Sequence, residues 1–202
     1  IADDMVTFVV ATGIHAPHTD EQNVQVYGEE IAERFRIVSH IADDPGSLVS
    51  AGTLSTGSEL RINRLVMDAD FVLALGVVAP HYFAGYSGGR KSILPGVAWK
   101  QSVERNHSRM VKLVDDLPDL DSNPVNLEMI EAAKMVGVDM ILNVVVDENK
   151  DVVKAVAGDV VEAWKEAVAV SASLYEVPLK GLADVTIASA CGHPRDINVY
   201  QA

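Results

Sequence analysis

An apolar run that leads into a glycine-rich stretch constrains this chain more than any other feature. Residues 71–78 are almost all apolar, which predicts a strand buried in a sheet. The stretch from His81 to Gly96 follows and contains four glycines. Glycine lets a backbone turn sharply and approach a ligand closely, and open α/β sheets bind ligands at the carboxyl ends of their strands. The sequence therefore predicts a site of binding or catalysis directly after this strand.

Strand-like and helix-like segments alternate along the rest of the chain. We predict strands at 5–11, 36–40, 71–78, 139–146, 152–157 and 185–189, helices at 19–35, 64–69, 97–110, 125–136 and 160–174, and a loop or hairpin at 53–63. This alternation predicts an α/β fold: a Rossmann-like, mostly parallel sheet with helices on both faces. Trp164 is expected on the apolar side of the last helix.

Composition excludes several classes of protein. The net charge of −13 on 202 residues argues against a nucleic-acid partner, because a phosphate backbone would be repelled. Cys191 is the single cysteine, so no disulfide forms within the chain, and no apolar run is long enough to cross a membrane. We expect a cytoplasmic protein without a membrane partner. Because Ile1 is followed almost at once by a strand, we also expect the chain to be cut from a longer protein.

Two histidines follow predicted strands. His15 comes just after strand 5–11, and His81 just after strand 71–78. Because consecutive parallel strands end at the same edge of a sheet, the two imidazoles could face one another across a cleft. An imidazole pair that titrates near neutral pH can take a proton from one face of a substrate and return it to the other. Either histidine could instead only hydrogen-bond a loop.

Lys91 lies in a segment close to a phosphate-binding loop. Gly85, Arg90, Lys91 and Ser92 nearly reproduce the pattern G-x-x-x-x-G-K-[ST], but Arg90 replaces the last glycine, so a nucleotide triphosphatase is excluded. A glycine-rich loop with a lysine still suits a phosphate, or an amine that becomes acylated once it is desolvated. A surface lysine beside a flexible loop is the structural alternative.

His107 lies alone on a predicted helix. No histidine or cysteine follows at helical spacing, so the protein alone would not build a conventional zinc site. One imidazole can hold a metal only if another molecule supplies the remaining ligands.

These motifs together resemble a known family. The spacing His81-x9-Lys91-x15-His107, wrapped around Gly85-Tyr86-Ser87-Gly88-Gly89, resembles the core of the lactate racemase family, which uses a nickel-pincer nucleotide. The segments 11–15 and 192–201 resemble, respectively, that family's first catalytic histidine and the segment leading to its substrate-contacting residues.

The resemblance implies a role for each residue. Lys91 would carry the cofactor covalently, residues 85–89 would bind it, and His107 would complete the coordination of nickel. His15 and His81 would be the acid/base pair, and Tyr200 and Gln201 would contact a 2-hydroxy acid. His193 and Arg195 add polarity there, which suggests a substrate with a second polar or acidic group. Enzymes that make the cofactor are the expected partners.

The same resemblance suggests a domain boundary and a rival function. Residues 1–185 would form the α/β cofactor-binding catalytic domain, incomplete at its N-terminus, and 186–202 the start of the connection to a C-terminal domain. The full-length protein would be a racemase or epimerase, and this fragment alone would be inactive. The alternative is a non-catalytic module that binds a phosphate or nucleotide through the loop from Gly85 to Lys91.

Overall fold

The computed structural model describes residues 1–113, 117–181, 183–187 and 189. Its strands are β1 Thr7–Val10, β2 Arg36–Ser39, β3 Leu48–Thr53, β4 Glu59–Asn63, β5 Leu73–Val77, β6 Pro80–His81, β7 Gly85–Tyr86, β8 Met140–Val146 and β9 Val152–Gly158. Its α-helices are α1 Asp20–Tyr27, α2 Glu29–Arg34, α3 Arg64–Met67, α4 Lys100–Ser108, α5 Pro124–Val136 and α6 Glu162–Tyr175.

The first βαβ unit is present as the sequence predicts. β1 and β2 pair in parallel, and the chain between them is helical. Thr19 caps α1 in a capping box with Gln22, which explains where the helix begins. The predicted single helix is broken at Gly28, whose φ of 83° lies outside the helical region, so α1 and α2 are separate.

The α/β class is confirmed, but the mostly parallel sheet is not what the described strands form. They make four small sheets in which β1–β2 and β5–β8 are parallel, while β3–β4, β6–β7 and β8–β9 are antiparallel. The turn from Asp147 to Asp151 explains β8–β9: the Asp147 carboxylate accepts the N–H groups of Asn149 and Asp151. A connection this short can join only antiparallel neighbours, because a parallel pair needs a crossover.

The core lies on one face of the β5–β8–β9 sheet. Trp164 of α6 is fully buried there, as predicted, together with Met129 of α5 and Ile141 of β8. The prediction of a buried strand over residues 71–78 holds for one face only, because Leu73, Leu75 and Val77 are 42–52% exposed. β5 therefore turns the buried Ala74 and the half-buried Gly76 towards the core.

The predicted strand at 185–189 is absent from its described residues. Val185 and Ile187 are 78% and 93% exposed. They pair with no described strand, although their apolar side chains are typical of one. The domain boundary at 185 stays a prediction. Within the described part of the chain, every helix is too short or too polar for a bilayer crossing.

Candidate active site

Three of the predicted site residues lie around the ring of Phe83. His81 and His107 each meet it edge to face, with ring centroids 4.6 and 4.8 Å from its own. The Nζ atom of Lys91 lies 5.7 Å from the same centroid, at the distance of a cation–π contact. Phe83 is only 3% exposed, and the buried Asn123 donates a hydrogen bond of 2.8 Å to its carbonyl. A side chain that the sequence did not single out thus organises the site.

His81 lies at the end of β6, in a tight hairpin with β7. Its Nδ1 accepts a long hydrogen bond of 3.4 Å from the Ala84 N–H. Burial lowers the pKa of His81 to about 3, and the positive charges of Lys91, His107 and Arg90 add to the effect. The imidazole is therefore neutral at pH 7 and able to accept a proton.

His107 occupies the last turn of α4, as the sequence predicts. Burial lowers its pKa to about 4, with a further contribution from the charge of Lys91, while the Val103 carbonyl acts in the opposite direction. Its Nδ1 is buried and has no hydrogen-bond partner within the residues that the structure describes. A neutral imidazole with an unused nitrogen is suited to ligating a metal.

Lys91 lies in a 3-10 turn that spans Gly89–Ser92. Burial lowers the pKa of its amine to about 7, and the charge of the neighbouring Arg90 lowers it further. About half of the amines are therefore uncharged at pH 7, whereas an ordinary lysine is almost entirely protonated. An uncharged amine is the form that attacks an electrophile, which fits the predicted covalent attachment.

The glycines of the loop are required by internal packing. A Cβ at Gly85 would lie 2.2 Å from Leu120, and one at Gly88 would lie 2.5 Å from the Oδ1 of Asn143. A Cβ at Gly89 would lie 3.1 Å from the Trp164 ring, and all three glycines have positive φ angles between 50° and 78°. Close approach within the protein accounts for these glycines without a ligand.

Tyr86 and Ser87 also make contacts within the protein. The Tyr86 hydroxyl donates to Glu176 just after α6, and burial together with that carboxylate raises its pKa. The Ser87 hydroxyl donates to the Val77 carbonyl at 2.7 Å and accepts from the Ala79 N–H at 2.9 Å. Both side chains thus tie the loop to its surroundings, and their predicted part in cofactor binding stays a prediction.

An open cleft of about 850 Å³ lies beside His81. Its walls come from the β6–β7 hairpin, residues 117–120 and the end of α6, including Tyr82, Asp119 and Val168. The neutral imidazole of His81 therefore borders a space that can hold a small molecule.

The structure does not join His15 to the other three residues. His15 is exposed in the loop after β1, and no hydrogen bond or ring contact links its side chain to His81, Lys91 or His107 in the described residues. Its loop is nevertheless anchored close by, because the Gly13 N–H donates to the Gly96 carbonyl at 2.8 Å. Tyr200 and Gln201, like His193 and Arg195, lie outside the described residues.

The histidines not assigned a task have structural partners. His40 is fully buried, with Nε2 bonded to the Ala98 carbonyl at 3.0 Å and Nδ1 to Asn63 at 3.2 Å, and burial lowers its pKa. The ring of His18 bonds to Asn23. In the described ranges, no three His, Cys, Asp or Glu side chains are placed to hold a metal together. A metal at His107 would thus find no further His, Cys, Asp or Glu ligands grouped with it among the described side chains.

The fold and site define an α/β protein with a glycine-rich loop whose partly neutral lysine shares one aromatic ring with two half-buried, neutral histidines. The family model of the lactate racemase N-terminal domain matches residues 1–115. Together with the sequence relatives described below, this match shows that the chain belongs to the lactate racemase family.

Two characterised relatives cover almost the whole chain. A lactate racemase of Lactiplantibacillus plantarum is 36% identical over 204 residues, which cover 99% of this chain and 47% of the relative. A lactate racemase of Thermoanaerobacterium thermosaccharolyticum is 38% identical over 199 residues, 98% of this chain and 46% of the relative. The chain thus spans about half the length of these relatives.

Solved structures agree with the fold. The lactate racemase apoprotein of Thermoanaerobacterium thermosaccharolyticum superposes with a TM-score of 0.78 at 36% identity, over 84% of this chain and 41% of that one. A Thermotoga maritima protein superposes with a TM-score of 0.70 over 83% of this chain and 46% of that one. At 22% identity, the second likeness concerns the fold alone.

Proposed function

We propose that this chain is the cofactor-bearing part of a racemase or epimerase of 2-hydroxy acids that carries a nickel-pincer nucleotide on Lys91. The grouping of Lys91, His81 and His107 around Phe83 carries the proposal. It places an amine that is half uncharged at pH 7 next to two neutral imidazoles, in a family whose named members are lactate racemases.

The residues present fit such a cofactor. Lys91 offers the reactive amine, and His107 offers a neutral imidazole whose buried Nδ1 has no partner in the described part of the chain. Among the described residues no carboxylate pairs with Lys91 or His107, so no such ion pair competes with the cofactor there. When bound, the nickel-pincer nucleotide would supply an acceptor for the hydride from the substrate's C2 carbon and would return that hydride.

The acid/base roles fall to His81 and His15. His81 is neutral and borders the cleft, so it can accept the proton of a substrate hydroxyl. His15 would serve the opposite face of the substrate. Support for this pairing comes from the link between Gly13 and Gly96, which ties the loop of His15 to the segment that follows Lys91. Tyr200 and Gln201 would hold the substrate.

We also propose a Rossmann-like arrangement for the full-length protein. The parallel pairs β1–β2 and β5–β8 support it, because His15 and His81 each follow the carboxyl end of a strand from one of these pairs. Ligand sites of such folds lie at that edge of the sheet. The protein would be cytoplasmic, where the enzymes that make the cofactor could load it.

A non-catalytic phosphate-binding module is the second candidate function. It rests on the glycine-rich loop with its lysine, but the packing of Gly85, Gly88 and Gly89 already explains those glycines. It also assigns no task to the two neutral histidines. The racemase accounts for more of the observed site.

Isotope retention tests the proposed reaction. Full-length protein made together with the cofactor-producing enzymes would be given single enantiomers of lactate and of a malate-like 2-hydroxy acid, each deuterated at C2. We expect the opposite enantiomer to appear with deuterium still at C2, because the same hydride leaves and returns. Loss of deuterium to water, or no interconversion of any such acid, would overturn the proposal. Faster turnover of lactate than of malate-like acids would exclude a second acidic group on the natural substrate.

A further inference from the structure

Arg90 is a buried charge without a carboxylate partner. It is fully buried, and its guanidinium carbon lies 3.8 Å from the centroid of the Trp164 ring. Every ion pair formed by the described residues involves another cation. A charge removed from water is costly unless hydrogen bonds replace its hydration, so this arginine must have strong partners of another kind.

Those partners are mostly backbone carbonyls of the glycine-rich loop. One guanidinium nitrogen, Nη1, donates to the carbonyls of Ser87 and Gly88 at 3.2 Å each, and Nη2 donates to that of Ala84 at 2.9 Å. Nε donates to the Asn126 side chain at 2.8 Å. The loop is therefore folded around the guanidinium and holds it from three residues at once.

Lys91 is hydrogen-bonded to the same loop that surrounds the guanidinium of Arg90. The Gly88 carbonyl that accepts from Arg90 also accepts the N–H of Lys91 at 3.1 Å. From the far side, Trp164 Nε1 donates to the Ser87 carbonyl, and Asn143 Oδ1 accepts the Gly89 N–H. The backbone of Lys91 is thus hydrogen-bonded to the same loop carbonyl that Arg90 holds in place.

We propose that Arg90 is a positioning residue, whose planar fork holds the loop from Ala84 to Gly88 and thereby places the Lys91 amine beside Phe83. The inference rests on the proposed function only in assigning cofactor attachment to that amine. Lysine could not replace this arginine, because an ammonium group is a compact point of charge and cannot reach acceptors spread along three residues. The charge of Arg90 also contributes to the uncharged state of Lys91, next to burial.

Trace acetylation tests the inference without the cofactor. Full-length protein without cofactor would be treated with acetic anhydride between about pH 5.5 and 10, and each lysine quantified by peptide mapping. The uncharged amine attacks one carbonyl, acetate leaves, and the amine loses a proton. The midpoint of the pH profile reports the protonation of Lys91, and the plateau at high pH reports its accessibility. Exposed Lys165 is the reference within the same sample.

The decisive variant is Arg90→Lys, which keeps the charge and removes the fork. We expect a folded protein in which Lys91 has moved into water, so that its midpoint rises from about 7 towards 10.5. Relative to Lys165, its acetylation at pH 7 should fall by at least about fivefold, which corresponds to a rise of the midpoint from about 7 by one pH unit. A role limited to global stability would lower the thermal midpoint of unfolding and leave the profile of Lys91 unchanged.

Arg61→Lys is the matched control. Arg61 also lies over a tryptophan ring, that of Trp99 at 4.9 Å, but away from the loop. It should leave the profile of Lys91 as it is. If Arg90→Lys folds and keeps both the midpoint and the plateau of the unmodified protein, the inference is wrong.

If the Arg90→Lys protein does not fold, Trp164→Phe tests instead whether the contacts of the loop set the pH midpoint of Lys91. It keeps a smaller aromatic ring at the guanidinium and removes the indole N–H that donates to the Ser87 carbonyl. The midpoint of Lys91 should rise by a smaller amount, and an unchanged midpoint would reject the inference. Failure of the proposed function would look different: Lys91 of the unmodified protein would carry no adduct after cofactor loading, whatever the acetylation profiles show.

Discussion

The region around Phe83 and the loop of His15 differ in how many side-chain contacts hold their histidines in place. His81, Lys91 and His107 share one buried ring, and Arg90, Trp164 and Asn143 hold the loop beneath them. His15 is exposed, and its loop is held by backbone bonds of His15 and Gly13 and by the Thr12 hydroxyl, which donates to the His40 carbonyl. Two histidines in the same sequence context, each just past a strand, thus have unlike surroundings, because burial depends on what packs against them.

The largest effect is expected on cofactor attachment. Lys91→Arg keeps a positive charge but has no amine that can be acylated, so full-length protein made with the cofactor-producing enzymes should carry no adduct. Intact mass spectrometry measures this. Lys100→Arg changes an exposed lysine at the start of α4 and should leave the adduct in place. An adduct of unchanged mass on the Lys91→Arg protein would remove Lys91 from the proposal.

Substitution of the two histidines tests whether their unlike surroundings matter. His81→Asn and His15→Asn should each lower turnover by about 10²- to 10⁴-fold while the adduct on Lys91 remains, because each removes one acid/base group. His18→Asn is the control in the loop of His15, since the ring of His18 bonds only to Asn23 among the described side chains. Turnover close to normal in the His15→Asn protein would leave His81 without its proposed partner.

Phe83→Leu should loosen the better packed of the two regions. Loss of the aromatic pairs should lower the free energy of unfolding by about 1 kcal/mol. The pKa of His81 should move back up from about 3, because the imidazole becomes more hydrated. Proton NMR of the histidine rings measures the pKa. Phe8→Leu is the control, since Phe8 lies on β1 and its ring packs on Tyr27 and Phe35, and it should cost stability without moving the pKa of His81.

A further expected effect is a dependence of stability on pH. The pKa of His81 is about 3 in the folded chain and about 6.5 in an unfolded one, so only the unfolded chain binds a proton between these values. Its contribution to stability is complete above about pH 6.5 and is lost as the pH falls towards 3. The thermal midpoint should therefore fall between about pH 7 and 5, and less steeply in His81→Phe than in His18→Phe. Equal slopes in the two variants would argue that His81 is not held neutral by its surroundings.

Local sequence was enough to predict the parts of the site that depend on spacing. Lys91 lies in the predicted glycine-rich loop and His107 on the predicted helix, and α5 covers the helix predicted at 125–136. The residues that organise the site were not predictable in this way. Phe83 matters because rings from separate elements converge on it, and Arg90 because Trp164, far along the chain, covers it.

The differences between the predicted sheet and the described strands have the same origin. The apolar sequence of β5 does not indicate which face of the strand other elements will bury. Leu75 lies on the exposed face although it is as apolar as a core residue. The turn residues 147–150 did carry a signal, since a short turn between strands indicates a hairpin and therefore an antiparallel pair. Alternation of strands and helices elsewhere in the chain outweighed that signal in the prediction of a mostly parallel sheet.

The most direct test of the account is the intact mass and nickel content of full-length protein made with the cofactor-producing enzymes. The account predicts an adduct that peptide mapping assigns to Lys91, with about one nickel per chain, since His107 is a single protein ligand. An unmodified Lys91 under those conditions would contradict it. The site would then be a non-covalent phosphate-binding loop, and His15 and His81 would have no assigned reaction.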